Sequence, residues 1–98
     1  MDINMERKGN ELTVTLEGRL NTLTAPELEE KLESSMEGLE KLIFDFEKLE
    51  YISSAGLRVM LTTMQIMEGK GKMIVRNPSE TVMNVFEITG FIDDLIIE

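Results

Sequence analysis

The chain has 98 residues, 30% of them charged, with a net charge of −9, no histidine and no cysteine. That length fits one domain, residues 1–98, able to bury a single core without staples. Disulfides and thiolate metal sites are excluded, and the acidic balance argues against a surface built for nucleic acid phosphates or anionic lipid.

The opening residues, Met1-Asp2-Ile3-Asn4-Met5-Glu6, lack the basic and apolar regions of a signal peptide. No apolar run approaches the roughly 18 residues of a membrane span. A cytoplasmic protein without membrane insertion is expected. Ile3 and Met5, then Leu12, Val14 and Leu16, alternate with polar neighbours on either side of Lys8-Gly9-Asn10. This predicts a β-hairpin of half-buried strands. Thr24-Ala25-Pro26-Glu27 has the pattern of a capping box with proline in the first turn. Leu28, Leu32, Met36 and Leu39 share one face, so a first helix is predicted from Ala25 to Glu37, ended by Gly38. Glu29, Glu30 and Glu33 form its solvated face.

Leu42-Ile43-Phe44-Asp45-Phe46 is nearly continuous in apolar character, as in a strand covered on both faces of a parallel sheet. A second helix is predicted from about Ser54. Its inner stripe is Leu57, Leu61, Met64 and Met67, widened by Val59 and Met60, and Glu68-Gly69-Lys70-Gly71 breaks it. Met73-Ile74-Val75 reads as a short buried strand. Asn77-Pro78-Ser79-Glu80 starts a third helix, with Asn77 as cap and Pro78 in first position. Val82, Val85, Phe86 and Thr89 give its face, Gly90 stops it, and Leu95-Ile96-Ile97 is the last strand. Met60, Met64 and Met67, at helical spacing, read as core filler, with a pliable binding groove as the alternative. The carboxylates are spread over helix faces without ligand spacing, so no metal site is expected.

The order β-β-α-β-α-β-α-β is an α/β fold. Its βαβ units call for right-handed crossovers and parallel pairs, and the hairpin makes the sheet mixed. Sites in open α/β sheets gather where strands deliver their carboxyl ends. Those junctions are Gly18 to Leu23, Glu47 to Ser54, and Arg76 to Asn77, which puts the first two on one edge of the molecule.

Tyr51-Ile52-Ser53-Ser54-Ala55-Gly56-Leu57 places two hydroxyls where a strand turns into a helix. A helix N-terminus has unpaired N–H groups and a positive dipole end, so it accommodates an anion. A serine there can cap the helix, act as a nucleophile, or carry a phosphate. The nucleophile needs a base, and no imidazole exists in the chain. The nearest lysines, Lys48 and Lys70, sit in no apolar run that would depress their pKa. On residue type alone, capping is the plain role of Ser53 and Ser54. Gly56 in a first turn costs about 1 kcal/mol relative to alanine. Close packing on the sheet explains it, as does approach of a partner or a phosphate. Arg58, one turn past Ser54, is an exposed charge or the partner of a phosphate there.

Glu50-Tyr51-Ile52-Ser53-Ser54-Ala55-Gly56-Leu57-Arg58-Val59 resembles the signature of the anti-sigma factor antagonists, the single-domain members of the STAS family. Gly18-Arg19-Leu20-Asn21-Thr22-Leu23-Thr24-Ala25-Pro26-Glu27-Leu28 resembles that family's first strand-to-helix junction, and the element order agrees over the whole chain. The resemblance implies a STAS-like mixed sheet with helices. It implies an unmodified protein that docks on an anti-sigma factor, itself a serine kinase, and so releases a sigma factor. Phosphorylation of one serine ends the docking, and a metal-dependent serine phosphatase restores it. Alignment on Gly56-Leu57 puts the acceptor at Ser54. Many members have Asp where this chain has Ser53, which makes Ser53 a rival acceptor, and many have Asp where it has Asn21. The implied partner-binding residues are Asn21, Thr22, Ser53, Ser54, Gly56 and Arg58. The implied protein is not an enzyme and holds no cofactor; ATP and magnesium belong to the kinase. Two other classes stay open. One is a regulatory STAS subunit of a transport complex without a phospho-switch. The other is a small-molecule binder or weak hydrolase using the Ser54 edge.

Overall fold

A computed structural model describes residues 1–98. Strands β1 (Asp2–Lys8), β2 (Glu11–Leu20), β3 (Lys41–Ile52), β4 (Lys72–Arg76) and β5 (Ile96–Ile97) form one sheet in the order β1-β2-β3-β4-β5. Helices α1 (Ala25–Glu33), α2 (Ser54–Met67) and α3 (Glu80–Thr89) fill the connections, and a 3-10 turn, Phe91–Asp94, precedes β5. β1 is antiparallel to β2 and every other pair is parallel. The predicted element order and mixed sheet are therefore observed. The three parallel steps run in one direction across the sheet, so right-handed crossovers put all three helices on the same face.

That face carries the core. Leu12, Val14 and Leu16 of β2 and Leu42, Phe44 and Phe46 of β3 alternate toward it. They meet Leu28 and Leu32 of α1, Val59, Met60 and Met67 of α2, and Val82 and Phe86 of α3. Each such side chain contributes roughly 1.5–3 kcal/mol when fully buried. Aromatic rings continue the core outward. Phe44 and Phe46 are 5.6 Å apart, Phe46 and Phe86 6.5 Å, and Phe86 and Phe91 6.1 Å, centroid to centroid. This chain of rings seats the 3-10 turn against the helix layer.

The helices cover one face only, yet β3 is buried on both over Leu42–Phe44, as its continuous apolar run predicts. Ile43 and Ile74, paired in register, are buried outside the main cluster on the other face. β3 is longer than predicted. Two register shifts against β2, between Thr15 and Glu17 and between Gly18 and Arg19, each give β3 an extra residue. The Asp45 carboxylate accepts the Glu47 N–H at 3.1 Å beside the first of these bulges. Bulges sharpen the twist and redirect the strand beyond them. The β2–β3 ribbon thus runs on past the end of β4, whose last pair with β3 is Asp45 with Arg76.

α1 ends at Glu33 rather than Glu37. The Ser34 and Ser35 hydroxyls donate to carbonyls of Glu30 and Lys31, an alternative to helix propagation. The Arg7 guanidinium takes the Ser35 and Glu37 carbonyls at 3.0 and 2.9 Å and also donates to Gly9 O at 2.9 Å. Met36 and Leu39 reach the core all the same, from the turn after the helix. The Thr24 capping box does not form either. Thr24 holds helical angles, φ −98° and ψ −22°, and its hydroxyl turns away from the helix.

The buried stripe of α2 is Gly56, Val59, Met60, Thr63 and Met67, not the line through Leu57, Leu61 and Met64. Leu57 and Met64 are half-buried and Leu61 is exposed. Small residues let this helix approach the sheet closely. The Thr63 hydroxyl is satisfied inside its own helix, donating to Val59 O at 2.7 Å, so burying it costs little. α3 starts later than expected. Its cap is Ser79, whose hydroxyl accepts the Val82 N–H at 3.2 Å. Asn77 instead sits at φ 55° and donates its N–H to Glu98 O at 3.2 Å, which ties the end of β4 to the C-terminal residue. In α3, Val82 and Phe86 are buried, Val85 is half-buried, and Thr89 is exposed, its hydroxyl donating to Val85 O.

Candidate functional site

β2 delivers Leu20 into the core, and the chain then turns sharply. The Asn21 side-chain oxygen accepts the N–H groups of Leu23 and Thr24 at 3.0 and 3.2 Å, a local turn that asparagine favours. The Thr24 hydroxyl accepts the Asn21 N–H at 2.9 Å and donates to Arg19 O at 2.8 Å. The Asn21 carbonyl accepts the Ala25 N–H at 2.8 Å. Asn21, rather than Thr24, therefore opens α1. The closed turn pushes Thr22 and Leu23 outward, and Leu23 is 89% exposed.

The second junction lies alongside. Arg19 pairs with Tyr51 and Leu20 with Ile52 in the parallel ladder. The Arg19 guanidinium sits 4.9 Å over the Tyr51 ring, and the Ser53 N–H donates to Leu20 O at 2.9 Å. These contacts hold the two junctions as one rim. Ser53 is the N-cap of α2 in an extended conformation, φ −97° and ψ 178°. Its hydroxyl makes no cap hydrogen bond, and its oxygen is buried without a partner. Ser54, the first residue of α2, is exposed. The two serines, equal candidates by residue type, thus differ sharply in access.

Gly56 lies beneath them, buried. A Cβ there would stand 2.7 Å from Leu20 Cγ and 2.8 Å from Ile52 Cγ1. Packing of the first turn on the two strand ends accounts for this glycine. Arg58 is exposed, one turn on from Ser54. Beside both runs a groove of about 430 Å³. Ser54, Leu57, Arg58 and Leu61 of α2 line one side; Thr89, Gly90, Phe91 and Asp94 line the other. Leu57, Leu61 and Phe91 make its lining largely apolar, and Arg58 and Asp94 give it one charge of each sign.

The structure brings Asn21, Thr22, Ser53, Ser54, Gly56 and Arg58 to one end of the β2–β3 ribbon. The third junction, Arg76 to Asn77, stands back from it, because β4 stops opposite Asp45. Sequence reasoning missed Leu23, Phe91 and Asp94. Leu23 carried a signal, an apolar residue in a loop with no strand or helix face to join. Asp94 carried none, because its place depends on how the 3-10 turn packs. No group of three or more acidic side chains is arranged to hold a metal ion, and no helix is long and apolar enough to cross a membrane.

The STAS domain family model matches residues 2–98. BtrV of Bordetella bronchiseptica, named as a candidate anti-sigma factor antagonist, is 34% identical over 94 residues, covering 94% of this chain and 81% of that protein. The anti-sigma-B factor antagonist of Bacillus subtilis is 32% identical over 96 residues, covering 95% and 88%. Among solved structures, unphosphorylated SpoIIAA superposes with a TM-score of 0.87 at 24% identity, over 99% of this chain and 88% of that one. Phosphorylated SpoIIAA of Bacillus gives 0.78 at 23% identity, over 99% and 91%. The mouse anion transporter Slc26a9 shares the fold, with a TM-score of 0.74 at 16% identity, over 91% of this chain but 15% of that one. The fold, the signature around Ser54 and the full-length match to these relatives place this chain in the STAS domain family, among its anti-sigma factor antagonists.

Proposed function

We propose that this protein is a phospho-switched anti-sigma factor antagonist whose acceptor is Ser54. The unmodified form docks on an anti-sigma factor that is also a serine kinase, and sigma factor is released. Phosphate on Ser54 ends that docking, and a serine phosphatase removes it. The protein acts in the cytoplasm, performs no catalysis and needs no cofactor of its own. One observation carries the choice of residue. Ser54 presents its side chain to solvent at the start of α2, whereas the Ser53 oxygen is buried against the strand ends. A kinase must reach the hydroxyl it modifies. Arg58 and the helix N-terminus then stand ready to receive the added charge.

Incubation with the cognate kinase and ATP is expected to add one phosphate. Ser54→Ala abolishes the labelling and Ser53→Ala leaves it, as read by intact mass and peptide mapping. Label that persists in Ser54→Ala moves the site and overturns the assignment. A transport-subunit role would leave both serines unlabelled.

The rim around Ser54 is the docking surface in this reading. Leu23→Asp and Arg58→Glu are each expected to weaken kinase binding by about tenfold or more, the scale of an interface anchor. Glu30→Lys, on the exposed face of α1, is expected to change it little. Asn21 is a poorer probe, because its side chain holds the turn together. Calorimetric titration decides, and equal effects from all three substitutions would refute a localised rim.

A further inference from the structure

The outer edge of β1 is unpaired in this fold, since β1 ends the strand order. It pairs with β2 through seven residues without a register shift, and it contains no proline. Bulges, prolines, inward-pointing charges and charged side chains along the strand are the usual means of blunting an edge, and of these β1 has only the charges, on Asp2, Glu6, Arg7 and Lys8. The one charged residue on its core-facing side, Arg7, has its guanidinium turned away to the carbonyls of Gly9, Ser35 and Glu37. The backbone edge is left open.

The hairpin sets which groups face outward. Lys8 and Glu11 close the two-residue loop Gly9-Asn10, so they exchange hydrogen bonds with each other. Alternation then commits Glu6, Asn4 and Asp2 to β2 as well. Arg7, Met5 and Ile3 point their N–H and C=O groups away from β2, toward solvent.

We propose that this edge docks a second copy of the same chain, antiparallel, about a two-fold axis at Met5. A strand added here must set Ile3, Met5 and Arg7 against residues of the same set. With the axis at Met5, all seven residues pair. Ile3 meets Arg7 of the second copy, Asn4 meets Glu6, and Asp2 meets Lys8 on both sides of the axis. Asp2 and Lys8 then stand directly opposite in non-hydrogen-bonded positions, where side chains come closest. Neighbouring registers fail on charge. An axis at Asn4 sets Asp2 against Glu6, and an axis at Glu6 sets Glu6 against itself. Ile3 and Met5, half-buried against the core, gain cover from the second copy. The result is a closed, isologous pair sharing one continuous sheet. The contact is a single strand wide and each copy carries −9, so association is weak. It does not depend on the Ser54 reading.

Sedimentation equilibrium from about 1 μM to about 1 mM covers the range of weak association. The mean mass is expected to rise with concentration from 11.2 kDa toward twice that value. Lys8→Glu puts like charges opposite one another twice in the pair and is expected to weaken it by about tenfold. Adding Asp2→Lys to Lys8→Glu restores the opposite charges and is expected to restore association. Both variants carry the same change beside Glu11, so the rescue reads the contact between copies. Met5→Pro removes an outward N–H, leaves the bonds to β2, and is expected to abolish the pair. A mass of 11.2 kDa at every concentration overturns the proposal, as does a dimer that survives Met5→Pro or a double variant as weak as Lys8→Glu.

Discussion

Protein phosphorylated at Ser54 is expected to melt within about 4–8 °C of the unmodified form, the shift that about 1 kcal/mol produces in a domain of this size, yet to bind its anti-sigma partner about a hundredfold or more weakly. The phosphate adds about −1.5 to −2 charge. At the start of α2 it meets free N–H groups and the positive dipole end, worth about 0.3–1 kcal/mol. A pair with Arg58 one turn on adds about 0.2–0.5 kcal/mol. Asp94, on the far wall of the same groove, acts in the opposite direction, and solvent screens that repulsion. These contributions are small beside the roughly 5–15 kcal/mol stability of a typical domain. Docking changes the balance. A dianion facing a like charge, or stripped of water without a partner, costs several kcal/mol across an interface. Each 1.4 kcal/mol is about tenfold in affinity. Thermal melts, amide spectra and titration calorimetry on both forms test this together. A phosphorylated form that melts far lower, or that binds as tightly as before, would show that the switch works through unfolding or elsewhere on the surface.

Gly71→Ala is expected to be the most damaging of the conservative substitutions. Gly71 joins α2 to β4 where that turn lies on the connection leading into β3. A Cβ there would stand 1.7 Å from Glu40 O, a backbone atom that already accepts the Lys72 N–H at 3.0 Å. No rotamer relieves a clash with backbone, so the two chain segments must separate. Overpacking costs about 1–3 kcal/mol where side chains can yield, and more where they cannot. We expect about 3 kcal/mol, or a fall in midpoint of roughly 12–24 °C. Gly56→Ala is the milder contrast. Its clashes are with Leu20 and Ile52 side chains, and alanine returns about 1 kcal/mol of helix propensity. The net cost there is about 0–2 kcal/mol. Gly69→Ala meets no atom within 4 Å and costs only the strain of φ 80°, about 1–2 kcal/mol. Urea and thermal unfolding of the three variants rank them. A Gly71→Ala protein as stable as Gly69→Ala would mean the turn stands off Glu40.

Much of the candidate site was legible because its residues are local in sequence. The serine pair, the small residues after it and the charge one turn on are read directly from Ser53 to Arg58. The two strand-to-helix junctions follow from element order, since parallel pairing of β2 and β3 brings their carboxyl ends together. What stayed hidden depended on packing across the sheet. Ser53 and Ser54 are chemically identical neighbours, and only the seat of the first turn on Leu20 and Ile52 buries one hydroxyl and exposes the other. The groove is likewise tertiary. It exists because Phe86 holds Phe91 beside α2, at 6.1 Å.

By itself the sequence determined the order of strands and helices, the mixed sheet, the absence of any imidazole or thiol, and the segment that bears the family signature. Period-2 and period-3.6 patterning and turn residues encode those things within a few neighbouring positions. Tertiary structure alone decided which side of α2 is inner and which residue caps α3, and it joined the local Ser34 and Ser35 hydroxyls in ending α1. α2 is apolar around more than half its circumference, so periodicity could not set its rotation, and the close fit of Gly56 and Thr63 to the sheet did. Arg7 reaches from β1 to the carbonyls beyond α1, and Glu98 engages Asn77 from the far end of the chain. In each case a partner distant in sequence prevailed over the local cap or stripe, because a satisfied backbone group or a filled contact in the packed state outweighs a propensity of less than about 1 kcal/mol.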